Sequence, residues 1–385
     1  MLQKALQSRD FTQAKTLSES GEKLPSDIQD YNKTNIFDTI IREKAFDFVD
    51  HFISDGTIEL DIYEYDSFDK SIFASIAKHL SDDQESLDFL KAFIPKVESL
   101  NDELEGKSLL SYALENEAHP EVIKTLIANG CDAHFINRAE ENLIHQVIKK
   151  YVRTYDKGLQ YLQMLFDEGL DVDKPNVVGK TPLYQAVEFH KNEYIEWLLE
   201  NGADPNLADQ KGVSPFFFAL GNQADHDKYV IMRKYATPDF DRATNDGETL
   251  LFECIRMGSH KKLELIKMLL EDGADLDRKS NHYGEQTSWN LIATGGVDLL
   301  QLVNEMGQLD VNRKDDQGNT LLHKVCAHDS NHSDGAAKET YRKVKLLLEN
   351  GADVNATNDA DETPMILASK DNLKTKTVEL LLKSK

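Results

Sequence analysis

Residues 179–206 read GKTPLYQAVEFHKNEYIEWLLENGADPN, and the fold follows from this stretch. Thr181 followed by Pro182 is a helix start, because a threonine hydroxyl accepts from an orphan N–H of the first turn and proline fits the first helical position. A short helix over 183–189 follows, with Leu183, Ala186 and Val187 recurring at helical spacing. The small Ala186 lets another helix approach closely. His190, Lys191 and Asn192 turn the chain into a second helix over 193–200, whose apolar residues are Tyr194, Ile195, Leu198 and Leu199. Gly202 ends it, since glycine enters the left-handed region without steric penalty. Two helices this short need neighbours to cover their apolar faces.

The neighbours are repeats of the same pattern. With Gly179 as marker, the equivalent positions are Gly106, Glu140, Gly179, Gly212, Gly247, Gly284, Gly318 and Asp361, at steps of 34, 39, 33, 35, 37, 34 and 43 residues. The sequence G-x-T-P-L, a small residue in the first helix, a double leucine and N-G-A-D-x-N together resemble an ankyrin repeat, whose period is about 33. The resemblance implies an all-α ankyrin-repeat solenoid of about eleven stacked helix-turn-helix units with short turn fingers.

Two regions are expected. Residues 1–104 read as degenerate N-terminal helical repeats and a cap, with Gly21 and Gly56 closing the first two units, 35 residues apart, and a third pair lacking the final glycine. Residues 105–385 read as one continuous ankyrin array. Within it, 149–158 exceeds a normal helix–helix turn and implies lengthened helices. The unit after Gly212 lacks the terminal Gly-Ala-Asp, the unit after Gly284 is weak, and 327–340 reads as a long polar insertion.

The chain of 385 residues has 44 basic and 68 acidic side chains, a formal charge of -24. That balance disfavours nucleic-acid phosphate and anionic membrane as partners and makes a basic protein electrostatically easier. Residues 1–11 contain no apolar run of signal-peptide length, and no stretch approaches a membrane span, so a cytoplasmic protein without a targeting tail is expected. Three cysteines, an odd number, argue against a disulfide framework. Glycosylation patterns at Asn32 and Asn355 read as chance in such a chain.

A search for catalytic chemistry finds no phosphate-binding loop, dinucleotide fingerprint, zinc-protease helix or calcium loop, Arg242 standing where the first calcium ligand of Asn245-Asp246-Gly247 would be. His323, Cys326, His328 and His332 have a spacing that reaches a zinc ion. The repeat alignment gives His323 a hydrogen-bonding role between turns and Cys326 a packing role, so no metal or other cofactor is expected. Cys131, Cys254 and Cys326 all fall where small apolar side chains pack. Among Phe216, Phe217 and Phe218, the first takes the core place of Leu183, and Phe217 is expected to line the groove.

The resemblance places partner contacts on the turn tips and the outer side of the first helix. Those offsets fall on Val177, Val178, Lys180, Glu188 and Phe189, then on Gln210, Lys211 and Val213. They continue on Asn245, Asp246, Glu248, Arg256 and Met257, and end on Asp316, Gln317, Asn319 and His328. Phe189 and Met257 are apolar without a stacking role, and Arg256 is placed to pair with an acidic group. The function expected is a non-enzymatic, monomeric scaffold that binds another protein along its concave groove. The alternative is an acidic inhibitor or immunity-type protein blocking a basic enzyme or toxin.

Overall fold

The computed structural model describes residues 1–150, 155–223, 225–257 and 263–384. Contacts divide the chain into two units, Met1–Gln210 and Lys211–Lys385, each an all-α stack of helix pairs.

In the first unit the helices Pro182–Glu188 and Asn192–Glu200 form an antiparallel pair, one residue from the sequence boundaries at each start. The Thr181 hydroxyl accepts from the Tyr184 N–H at 3.2 Å, with Pro182 at the first helical position. Ser108, Asn142, Ser214 and Thr363 cap the first helix of their own repeats in the same way. Leu183, Ala186, Val187, Tyr194, Ile195 and Leu198 are all fully buried. The first 104 residues form further helix pairs, among them Asp30–Arg42 with Asp47–Ser54 and Ile72–His79 with Gln84–Phe93. The lengthening expected near 149–158 falls partly on 151–154, outside the described residues. Beyond them the helix Tyr155–Asp167 runs 13 residues, against 9 in Asn192–Glu200.

All eight marker positions have left-handed backbone, including the two without glycine, Glu140 at φ 59° and Asp361 at φ 55°. A second left-handed position follows several first helices, as at Glu117 and His190, and a third follows the second helix, as at Gly202.

The second unit holds the irregular repeats. The helix Pro215–Phe217 widens into a π turn over Phe218–Asn222 before His226–Met232. Phe216 is buried against Tyr229, and Phe217 is buried as well instead of lining a groove. It occupies the inward position of Tyr184, and the π turn folds Gly221 against its ring. The repeat after Gly284 begins its helix, Ser288–Thr294, behind a small hairpin in which Ser280–Asn281 pairs with Glu285–Gln286. The polar insertion is half the expected length as a loop. From Asp334 it joins the helix Asp334–Glu349, whose 16 residues extend the second helix N-terminally with Ser333 as cap.

Buried and half-buried lysines tie successive repeats together. A helix leaves its last carbonyls without intrahelical partners, and here a lysine from the next repeat donates to carbonyls at or just past the end of a first helix. Lys157 Nζ donates to the Glu117 carbonyl at 2.8 Å, Lys191 to Lys150 at 2.5 Å, and Lys343 to Gly295 at 2.8 Å and to Ala293. Lys374 donates to Cys326 at 2.9 Å and to His328. Lys343 and Lys374 are each only 1% exposed.

Candidate functional site

The turn tips are joined by a backbone ladder from one finger to the next. In the first unit the Val177 N–H donates to the Ala139 carbonyl at 2.9 Å and the Gln210 N–H to Val178 at 3.1 Å. Gln210 Nε2 also reaches the Val177 carbonyl at 2.8 Å. In the second unit the same bond runs from Asn245 to Lys211 at 2.9 Å, from Asn281 to Gly247 at 2.9 Å, and from Asp359 to Gln317 at 3.0 Å. The close approach requires the marker glycine: a Cβ on Gly179 would lie 2.7 Å from the Gln210 nitrogen. Buried histidines add a second tie. His145 contacts Asn142 at 2.8 Å and the Lys180 carbonyl at 3.2 Å, and burial pushes its ring down to about 4. His323 makes the equivalent contact with the Glu362 carbonyl at 3.1 Å, the role the repeat alignment gave it.

Against this frame the expected contact residues sort by what their side chains already do. Val177, Val178 and Phe189 of the first unit remain 48%, 46% and 43% exposed. Lys180 and Glu188 are half-buried and bonded to one another at 2.8 Å, with the Lys180 ammonium 4.7 Å from the Tyr184 ring centroid. Gln210, Lys211, Asn245, Asp246, Asp316 and Gln317 are exposed at the tips, and Asp316 pairs with Lys279 at 2.9 Å. Asn319 is half-buried and accepts from Asn358 at 2.9 Å. His328, half-buried, has its carbonyl taken by Lys374. Met257 is 42% exposed.

Arg256 differs from its sequence reading. It does pair with an acid, but within its own helix, through both oxygens of Glu253 at 2.5 and 3.1 Å. Glu253 is only 3% exposed, so Arg256 neutralises a buried carboxylate. The cysteines are buried, and burial pushes the Cys131 and Cys326 thiols up to about 12, which leaves them unreactive.

Two hollows open beside the first helices. One in the first unit, about 340 Å³, is lined by Ser111, Gln146, Glu141 and Lys149. Burial raises the Glu141 carboxyl, but hydrogen bonds from Lys149, Asn137 and Gln185 outweigh it and hold the carboxyl below its ordinary range. The other, about 780 Å³ in the second unit, is lined by Asn290, Asn319, His323, Lys324 and His328. Charge is uneven along the chain: residues 1–210 carry 21 basic and 40 acidic side chains, a formal -19, and residues 211–385 carry 23 and 28, a formal -5. Among the described residues no helix is long and apolar enough to cross a membrane.

Finger, first helix, second helix and left-handed marker thus recur in register. Residues 110–209 match the family model of ankyrin repeats in three copies, and 246–281 and 317–359 match that of the single ankyrin repeat. The chain carries ankyrin repeats. An ankyrin repeat protein of Fowlpox virus (strain NVSL), FPV222, is 25% identical over 290 residues, 73% of this chain and 36% of that protein. Neurogenic locus notch homolog protein 1 of Homo sapiens is 28% identical over 190 residues, 49% of this chain and 6% of its own length. Transient receptor potential cation channel subfamily A member 1 of Homo sapiens is 24% identical over 266 residues, 67% and 21% of the two. The ankyrin chain described here therefore spans little more than a third, at most, of these relatives. Ankyrin repeats are protein–protein interaction modules, and that coarse function applies to it.

The tip of the hairpin Ser280–Gln286 escaped the sequence reading. Tyr283, 97% exposed, and His282 sit there. The weak repeat pattern after Gly284 gave no offset to carry over to them; an aromatic residue directly before a marker glycine was the available signal.

Proposed function

We propose that this ankyrin chain is a non-enzymatic scaffold that binds another protein along the concave side, over its finger tips and the outer ends of its first helices. The observation that carries this reading is the exposure of Val177, Val178 and Phe189 where the surrounding side chains are committed to stacking, ion pairs or the finger ladder. Apolar side chains held on a rigid frame lose little entropy on binding and anchor interfaces efficiently. The uneven charge favours a second reading, in which residues 1–210 block a basic enzyme or toxin by charge mimicry. In either case the partner is a protein with a basic face, the ankyrin chain acts as a cytoplasmic monomer, and no cofactor takes part. We infer that the boundary between the degenerate N-terminal repeats and the regular array lies at 104/105.

The test replaces Val177, Val178 and Phe189 together with alanine. The backbone N–H and carbonyl of each are retained, so the ladder survives, and surface changes typically fall within about ±0.5 kcal/mol each. The partner captured from the native cell should bind this variant at least about tenfold more weakly, the equivalent of about 1.4 kcal/mol. A folded variant that binds like the parent removes this surface as the site. Arg256 is unsuited to such a test, because its removal would strand the buried Glu253 carboxylate.

A further inference from the structure

We propose that the tip of the hairpin Ser280–Gln286, together with the finger before it, is a seat for a lysine or arginine side chain on a basic segment of a partner protein. The proposal rests on the scaffold reading and locates one contact within it.

Tyr283 is the reason to look there. It is 97% exposed and stands at φ 50°. A bulky side chain in the left-handed region is an outlier, and Gly284 follows it at φ 103°, so the chain turns sharply and lifts the ring off the surface. The ring is nevertheless held. Tyr283 meets His282 edge-to-face with centroids 4.6 Å apart, and His282 lies 6.0 Å from Phe252, which is fully buried. These three rings form a train from the core to the tip.

The hairpin is also fixed to the preceding finger. Asn281 donates from its backbone to Gly247 and from Nδ2 to the Asp246 carbonyl, each at 2.9 Å, and the Thr249 N–H donates to Ser280 Oγ at 3.0 Å. A Cβ on Gly247 would sit 2.9 Å from the Asn281 Cβ, so the two fingers are in direct contact. This contact sets the hairpin beside Asp246 and Glu248.

The charge around the ring asks for a cation. Neither Asp246 nor Glu248 is ion-paired among the described residues, and Arg256, whose charge reaches both Glu248 and Tyr283, is bonded to Glu253. Glu285 shares Lys279 with Asp316. Burial, then the neighbouring charges of Glu253 and Asp246, hold the Glu248 carboxyl above its ordinary range, although Arg256 offsets part of this. A guanidinium or ammonium over the Tyr283 face gains from the ring quadrupole and from the unpaired carboxylates together. The site is an open tip, which suits a side chain on a peptide. The unit that carries the hairpin has a formal charge of -5, of the sign that favours a basic chain.

The test uses the full chain and two fluorescent seven-residue peptides, one carrying two arginines and the other citrulline in their place, read by anisotropy at physiological salt. The arginine peptide should bind, the citrulline peptide should bind at least threefold more weakly, and Tyr283→Ala and Glu248→Gln should each weaken the arginine peptide at least threefold. Tyr283→Phe should retain binding, and Tyr31→Ala, which removes another exposed ring in the first unit, should leave it unchanged. Equal affinity of parent and Tyr283→Ala for the arginine peptide, the sign of diffuse attraction to an acidic surface, overturns the proposal, as does equal binding of the two peptides. Neither result touches the scaffold reading, which stands or falls on the native partner and the Val177, Val178 and Phe189 variant.

Discussion

The marker position separates local from tertiary demand at a single residue. Gly179 has φ 83°, and its missing Cβ makes room for the next finger. Gly179→Ala should therefore lower stability by about 2 kcal/mol, since left-handed strain of about 1–2 kcal/mol adds to a clash with backbone. Glu140 is already left-handed with a side chain, so Glu140→Gly should raise stability by up to about 1 kcal/mol. Urea titrations followed by circular dichroism measure both, and a neutral Gly179→Ala would show that the finger contact does not constrain this position. The spacing of the markers was legible in the sequence, and Glu140 and Asp361 were placed correctly without glycine. The partner of Arg256 was not: the alignment turned Arg256 outward, and only the burial of Glu253, three residues earlier on the same helix, makes the arginine structural.

At the scale of the element, helix ends explain the buried lysines. Lys343 gives its ammonium to the carbonyls of Ala293 and Gly295 at the end of the helix Ser288–Thr294. Burial pulls its pKa from the ordinary 10.5 down to about 8. Between these two values the unfolded chain holds more protons than the folded one, so stability rises with pH across that window. Below it both states are protonated and the full desolvation penalty is present. The unfolding free energy of the parent relative to Lys343→Met should increase by on the order of 2 kcal/mol from pH 8 to pH 10. A difference flat across that range would mean that Lys343 is not buried as described. No sequence signal marks such a lysine. It follows the same pattern as a solvated helical lysine, and the carbonyls it serves lie 48 and 50 residues earlier in the chain.

For the whole molecule, charge and apolar anchors make opposite predictions for how the partner is held. A partner anchored on Val177, Val178 and Phe189 should lose less than about tenfold in affinity between 0.05 and 0.5 M salt, because apolar burial is not screened. A loss of more than about a hundredfold over the same range would favour charge mimicry by residues 1–210. Calorimetric titration against the captured partner at several salt concentrations decides between them. In either case Lys180, Glu188 and Asn319, among the expected contact residues, are occupied by bonds within the stack, and Phe217, expected to line the groove, is buried.

The sequence by itself determined the repeat register, the helix caps and the core face, because each depends on interactions within a few residues: a threonine hydroxyl on the third N–H of its own helix, an apolar face at helical spacing, a left-handed turn. What only the tertiary structure decided lies between repeats, at separations of roughly one repeat or more. It decided which tip groups enter the finger ladder, which lysines carry the carbonyls of the preceding repeat, and that the weakest repeat lifts Tyr283 into solvent. These depend on where one backbone comes to rest against the next, and no local pattern of residue types encodes that distance.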